Sequence, residues 1–481
     1  MLLVIDVGTT GLRAALVRDD ATISHVEYRA SAPDTPFPGL VEFDATEMAR
    51  LVLDAAHAAI AAGGEPITAV GVASQRASTI VWDRATGTPI GPGLGWQDLR
   101  TVGECLTAGA EHDLRLAPNQ SATKIAWLLA NSGDRDPADL CFGTVDSWIV
   151  WTLSDGAAHV TDHTNAGVTG LYSYERRGFD PAICAALGID TAMLPTIVDS
   201  SGPIGSATAL PGTPQIASIV GDQQGSLIGQ GCIRPGAAKI TFGTGGMLDI
   251  CTGDAAPTSG RRSPNGTFPI VAWTEPGRVM WGVEAIMLSA GTNVEWLVDD
   301  MALIDDPADS HVVAAACETT DGVVYVPALL GTGTPSWDYG ARGTLLGLTR
   351  GTGRPHIVRA VLEGVAHRGA DLVAAAEADT GLTIPTLRVD GGMSQNPTFT
   401  QALANATGKP VETSPVVEST TLGAAFLAGA AIGVWSDLAD ASSAFTPAGT
   451  IEPGAPLDRA TWRAALDRAA AWIPELSALD F

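Results

Sequence analysis

Asp222 follows the apolar run Ile219-Val220-Gly221 and precedes Gln223-Gln224-Gly225-Ser226-Leu227, a stretch able to open a helix. A carboxylate there either caps the helix or acts as a general base, taking the proton from a hydroxyl as that hydroxyl attacks a phosphoryl group. Asp6-Val7-Gly8-Thr9-Thr10-Gly11 turns after the apolar residues 2–5. The amides and hydroxyls of such a turn can cradle phosphate oxygens, and Asp6 can hold Mg²⁺ through its water shell. Gly243-Thr244-Gly245-Gly246 and Asp390-Gly391-Gly392 also follow strand-like runs. Taken singly, each reads first as an ordinary tight turn, where glycine supplies only a positive φ. Taken together, a nucleotide clamped between two lobes explains all three.

Residues 2–5 and 12–17 predict a β-hairpin around the first turn, with a third strand over 23–30. Residues 45–62 have helical spacing and end at Gly63-Gly64, a good helix stop. Residues 67–73 read as a buried strand ahead of Ser74-Gln75-Arg76-Ala77, and strands alternating with helices give an α/β architecture. The same plan restarts at 237–242, turns at 243–246 and returns over 247–251, while a helix is expected over 397–407. Two halves built alike predict two lobes, residues 1–235 and 236–481, with a cleft between them.

Arg76, Trp96 and the Gln97-Asp98 pair follow strand or turn segments, and Lys124 lies on an amphipathic helix where a solvated charge is the plain reading. Spacing alone assigns none of them a role.

A chain of 481 residues is long enough for two to four domains, and 46% hydrophobic against 17% charged residues supplies ample core. Lys and Arg number 27 against 53 Asp and Glu, a net charge of −26 that repels nucleic acid and anionic membrane surfaces. The six cysteines stand far apart with no Cys-x-x-Cys pair, as in a reduced cytoplasmic protein, and the eight histidines form no metal-ligand pattern. The opening MLLVIDVGTT has no basic start and meets Asp6 after four apolar residues, so no signal peptide is expected. The apolar stretch 424–435 is far short of the roughly 20 residues that span a bilayer.

Ordered blocks along nearly the whole chain resemble the FGGY family of carbohydrate kinases, on its glycerol kinase side. They include VIDVGTTGLRAAL (4–16), SQR (74–76), GLGWQDLRT (93–101), SATKIAWLL (121–129), DSWIVWTL (146–153), GDQQGSLIGQ (221–230), TFGTGG (241–246), LRVDGG (387–392) and TLGAAFLAG (421–429). The resemblance implies the two-lobed actin-like, ribonuclease-H-like fold, each lobe a mixed five-stranded sheet with helices, closing on ATP in the interlobe cleft. It implies Asp222 as general base and Asp6 on the Mg²⁺ side, with Thr9, Thr10 and Arg13 near the phosphates. Thr244 and Gly245 would meet the transferring phosphates, Gly291 and Glu295 the nucleotide, and Gly392, Met393 and Asn396 its adenosine side. A homo-oligomer is also implied.

The acceptor pocket departs from the family pattern. Arg76, Trp96, Asp222 and Gln223 match, whereas Ala77 stands where the resemblance implies Glu, Asn119 where it implies Tyr, and Met247 where it implies Phe. Losing the Glu removes a charged acceptor for substrate hydroxyls, and such hydrogen bonds are worth roughly 1.5–3 kcal/mol each. A polyol or ketose larger than glycerol is therefore expected, phosphorylated on a terminal hydroxyl; glycerol itself or a pentulose are the alternatives. A nucleotide-gated binding protein without kinase activity is the rival of a different class, sharing the fold but having no use for a polyol pocket.

Overall fold

The computed structural model describes every residue of the chain except 132, 134, 417 and 418. β1 (Leu2–Val7) is buried along its whole length and forms the centre of a six-stranded sheet. On one side it pairs antiparallel with β2 (Gly11–Val17), which pairs antiparallel with β3 (Ile23–Ala30). On the other it runs parallel to β4 (Ala69–Ser74), and β4 runs parallel to β6 (Gln215–Gly221). Parallel neighbours need a crossover, and α1 (Ala45–Gly63) makes the one between β3 and β4. Asp44 caps that helix, its carboxylate accepting from the amides of Thr46 and Glu47, and Gly64 ends it in the left-handed region at φ 66°. Its apolar stripe, Met48, Val52, Ala55, Ala56 and Ala59, packs on Leu3, Ile5, Leu16, Val70 and Val72.

The second sheet repeats the scheme with strands from later in the chain. β10 (Arg278–Met287), β8 (Gly246–Gly253) and β7 (Ala238–Phe242) are antiparallel neighbours, followed in parallel by β11 (Leu387–Asp390) and β12 (Val411–Thr413). The sheets carry six and seven strands instead of five. The additions are antiparallel edges, β5 (Ser201–Ser206) on β6, β9 (Phe268–Glu275) on β10 and β13 (Gly449–Ile451) on β12. The expected five-stranded pattern is the centre of each sheet. The long helix α5 (Arg354–Thr380) covers one face of this sheet, burying Val358, Val361, Leu362, Val365 and Leu372 against Ile240, Leu248 and Ile250.

α3 (Asp222–Gly229) and α7 (Ser419–Ala431) lie between the sheets. α7 comes from the end of the second half, yet Leu422, Ala424, Ala425 and Phe426 pack with Leu2, Val4, Ala69 and Val220 of the first sheet. The two helices cross backbone on backbone: a Cβ on Gly423 would sit 1.9 Å from the Gly225 carbonyl oxygen. Any side chain there must part the helices, and overpacking of this kind costs about 1–3 kcal/mol. The turns after β1, β4, β6, β7 and β11 all leave the carboxyl ends of central strands, where open α/β sheets bind ligands. Among the described residues, no helix is long and apolar enough to cross a membrane.

Candidate active site

The first turn closes through the Gly8 amide, which donates to the Gly11 carbonyl at 2.9 Å and leaves Thr9 and Thr10 at the tip. Arg13 of β2 lies directly across from Asp6 of β1, its Nη1 3.6 Å from Asp6 Oδ2, and its guanidinium rests over the Tyr28 ring. The counterpart turn of the second half, Gly243-Thr244-Gly245, is stapled to α4 (Thr292–Asp299). Gly291 N donates to the Gly243 carbonyl and Ala290 N to the Thr244 carbonyl, each at 2.8 Å. A Cβ on Gly291 would lie 2.6 Å from the Gly243 oxygen, so only glycine allows the approach. The N-terminus of α4, an end that favours anions, is thereby fixed to a turn rich in free amides. Glu295 sits exposed in its first turn.

Gly392 and Met393 begin a short 3₁₀ turn, Gly392–Gln395, after β11. Asn396 has a structural duty as well as its expected nucleotide role. Its Oδ1 accepts from the Phe399 amide at 3.1 Å and caps α6 (Pro397–Thr407), while its Nδ2 donates to Ser310 Oγ at 2.9 Å. Among the described residues no group of three or more His, Cys, Asp or Glu could hold a metal ion. Asp6 is a single buried carboxylate at a strand end beside the phosphate-type turn. That donor set suits a hydrated ion carried by phosphates, the binding habit of Mg²⁺, and not an all-protein cage.

The other end of the site is built around Arg76, which follows β4. Its Nη2 donates to Glu284 Oε2 at 2.5 Å, and its Nε lies 3.6 Å from Asp222 Oδ1. Its Nη1 is buried with no hydrogen-bond partner. Asp222 is the first residue of α3, with Gly221 in the cap position; its Oδ1 accepts from the Gln223 amide at 2.8 Å. Burial raises the Asp222 carboxyl above the ordinary carboxylate value and the Arg76 charge opposes that rise, although 29% of the side chain still meets solvent.

Glu284 does not stand alone. The register of three neighbouring strands places Lys239 of β7 opposite Asp249 of β8, and Asp249 opposite Glu284 of β10. Lys239 and Asp249 are both 0% exposed, with Nζ 2.8 Å from Asp249 Oδ2. Lys239 Nζ also donates to Thr241 Oγ1 at 2.8 Å and to Gln223 Oε1 at 2.6 Å. With its oxygen held by Lys239, the Gln223 amide offers only its Nε2 hydrogens to a ligand.

Trp96 and Thr9 join the two ends: the indole Nε1 donates to Thr9 Oγ1 at 3.1 Å. Lys124 is wholly buried, not solvated as its helix pattern suggested, because its Nζ donates to the Gly95 carbonyl at 2.6 Å and steadies the residue before Trp96. Burial pushes its pKa down to about 7. Ala77 is buried in the left-handed region at φ 63°, and its carbonyl accepts from Ser121 Oγ at 3.0 Å. Met247 is half-buried two residues before Asp249, on the same face of β8. Asn119 is exposed in the turn ahead of α2 (Ala122–Ala130) and joins none of the ion pairs that tie this cluster together.

Glu284, Lys239 and Asp249 were not anticipated from the sequence. Their signal is a charge interrupting an apolar strand, in AKITF, GMLDIC and WGVEAIM.

Residues 1–229 match the model of the FGGY family of carbohydrate kinases, N-terminal domain, and residues 238–432 match that of the C-terminal domain. The chain belongs to the FGGY family. It is 41% identical over 495 residues to a glycerol kinase of Aromatoleum aromaticum, covering 98% of this chain and 99% of that one. A glycerol kinase of Dechloromonas aromatica is 40% identical, with 98% of each chain covered. Among solved structures, a Plasmodium falciparum glycerol kinase with ADP superposes at a TM-score of 0.90, with 29% identity and 98% of both chains covered. A Lactobacillus acidophilus xylulose kinase shares the fold at a TM-score of 0.86 and 21% identity, covering 100% of this chain and 99% of that one. As an FGGY member the protein is an ATP-dependent phosphotransferase acting on a small polyol or sugar, and the actin-like two-lobed fold is that of the family.

Proposed function

We propose that the enzyme transfers the γ-phosphoryl group of ATP to a terminal hydroxyl of a polyol longer than glycerol. The observation that carries this reading is the acceptor end of the site, where Arg76, Trp96, Asp222 and Gln223 are retained beside an alanine at position 77. Asp222 takes the proton of the attacking hydroxyl, a contribution typically of 10²–10⁴ in rate. Burial raises its pKa and Arg76 opposes the rise, which makes the carboxylate a stronger base than an exposed aspartate. Thr9, Thr10, Arg13, Thr244 and Gly245 receive the phosphates, and Gly291, Glu295, Gly392, Met393 and Asn396 the rest of the nucleotide. Asp6 is the residue that would hold Mg²⁺ through water, and the ion supplies charge neutralisation on the transferring group. Lobes divided near residue 235 close over both substrates and exclude water, so that ATP is spared until the acceptor is seated. The six free cysteines, five of them buried, suit the reducing cytoplasm, where a homo-oligomer is the form expected of this family.

The second reading is glycerol itself, favoured by the relatives named glycerol kinase that match this chain over 98% of its length. Coupled ADP release with Mg-ATP decides between them, run over glycerol, four- and five-carbon polyols, pentuloses and hexoses, with Asp222→Asn as the blank. The expected winner is a polyol of four or five carbons. Glycerol as the best substrate would overturn the longer-chain reading, and ADP release independent of any acceptor would overturn the kinase reading.

A further inference from the structure

We infer that Glu284 is the substrate's hydroxyl acceptor, supplied from the second sheet in place of the side chain absent at position 77, and that the site it completes is shaped for an uncharged polyol. The inference rests on the phosphotransferase reading above. Arg76 leaves the first sheet and Glu284 stands on the second, so their 2.5 Å contact spans the space between the lobes. One edge of the guanidinium, Nε with Nη2, serves Asp222 and Glu284 together, while Nη1 is buried with nothing to donate to. A buried donor left unmatched is costly unless a ligand completes it. A hydroxyl bound there could donate to a carboxylate and accept from Nη1 at once.

Lys239 holds the Gln223 oxygen, leaving Gln223 as a donor, so the substrate's own hydroxyl protons must go to Asp222 and Glu284. With every carboxyl ionised, Arg76 and Lys239 stand against Asp222, Glu284 and Asp249, a formal charge of −1; burial pushes the Glu284 carboxyl up to about 7 against the pull of Arg76, so the full −1 is reached on the alkaline side of neutrality. A sugar acid or an already phosphorylated sugar would meet net repulsion in a buried setting, where charge interactions are weakly screened. Like charges opposite one another on adjacent strands, as Asp249 and Glu284 are, destabilise a sheet. Each is offset by its own cation, Asp249 by Lys239 and Glu284 by Arg76. Because the acceptor arrives from the opposite lobe, a polyol binds fully only when the lobes are closed, which ties acceptor recognition to assembly of the reacting geometry.

The test uses the full-length enzyme and its best polyol in three forms: wild type, Glu284→Gln, and Glu284→Gln with Ala77→Glu. Glu284→Gln should raise the polyol KM by about 10- to 100-fold, the loss of a hydrogen bond to a charged group, with the ATP KM held within about twofold. Ala77→Glu in that background should recover at least about fivefold of the loss, because it returns a carboxylate to the place that lacks one. An unchanged polyol KM in Glu284→Gln, or a parallel rise in both KM values without recovery, would overturn the assignment. Thermal shift by polyol and by ADP, measured separately on the same proteins and on Glu284→Asp, keeps the test independent of turnover. Loss of the polyol shift with the ADP shift intact supports Glu284 as a ligand, and equal loss of both assigns it to folding alone. A wild type that is stabilised by polyol yet releases no ADP would fail the kinase reading and leave the polyol site standing. Gluconate stabilising the wild type as well as ribitol does would overturn the preference for uncharged substrates.

Discussion

Trp96 Nε1 and Thr9 Oγ1 lie 3.1 Å apart, so the Trp96 indole hangs on the Gly8-Thr9-Thr10 turn. The bond ties residues 87 positions apart in sequence, and it is backed on the Trp96 side by the Lys124 contact to Gly95 and by Ser78 Oγ, which accepts from the Trp96 amide at 3.0 Å. If Thr9 binds nucleotide as proposed, this bond links the nucleotide end to the indole.

Trp96→Phe keeps the aromatic surface and deletes only the donor. A neutral hydrogen bond is worth about 0.5–1.5 kcal/mol, so kcat/KM for the acceptor should fall roughly 2- to 12-fold. Thr9→Val should cost a similar amount, and the double variant should cost little more than either single one. Steady-state kinetics on the four proteins form the double-mutant cycle. Strictly additive losses would show that the bond does not couple the two ends.

Asp222→Asn should lower kcat by about 10²–10⁴ while leaving ADP affinity within a few-fold of wild type, because the base we propose would meet the acceptor hydroxyl and not the nucleotide. Stopped-assay turnover with isothermal titration of ADP checks both halves. Near-normal turnover would remove Asp222 from the chemistry.

Gly291→Ala places a Cβ 2.6 Å from the Gly243 carbonyl oxygen, a backbone atom that can give way only by moving the turn. The variant should raise the ATP KM by about an order of magnitude and leave the acceptor KM nearly unchanged, since Gly291 N makes one of the two 2.8 Å bonds that hold this turn on α4. An equal rise in both constants would mean that the turn is not dedicated to nucleotide.

Much of this was readable in the residues. The hairpin around Gly8-Thr9-Thr10, helix α1 with its Gly64 stop and helix α6 over 397–407 all follow from local pattern, because period, cap and turn chemistry are local properties. Local pattern missed whatever depends on register between distant strands. Lys239, Asp249 and Glu284 align across β7, β8 and β10, yet each looks in sequence like a stray charge in an apolar run. Lys124 failed for the same reason: its helix shows amphipathic spacing, and only the fold brings the Gly95 carbonyl to its ammonium. The carboxylate on Arg76 comes from the other sheet, 208 residues along the chain, a pairing that no local pattern near position 77 shows.

The pH dependence follows from Asp222. Its folded pKa is raised by burial above the ordinary value of 3.8, with Arg76 acting against the rise. The acid limb of kcat/KM should therefore lie above the range of an exposed aspartate, and Arg76→Gln should move it higher still by removing the opposing charge. The stability consequence has the reverse sign from a salt-bridged aspartate. Between the unfolded and the folded pKa the native state binds more protons, so this group's contribution to stability declines as pH rises through that window and stays unfavourable above it. Asp222→Asn, freed of that burden, should melt at or above the wild-type temperature at neutral pH, and the gap should close as the solution is acidified through the window. Differential scanning calorimetry across pH, beside the kcat/KM profile, reads both effects. A variant that melts lower than wild type at neutral pH, with an acid limb at the ordinary aspartate value, would mean that Asp222 is a stabilising ion-pair partner of Arg76 and not a base held at a cost to the fold.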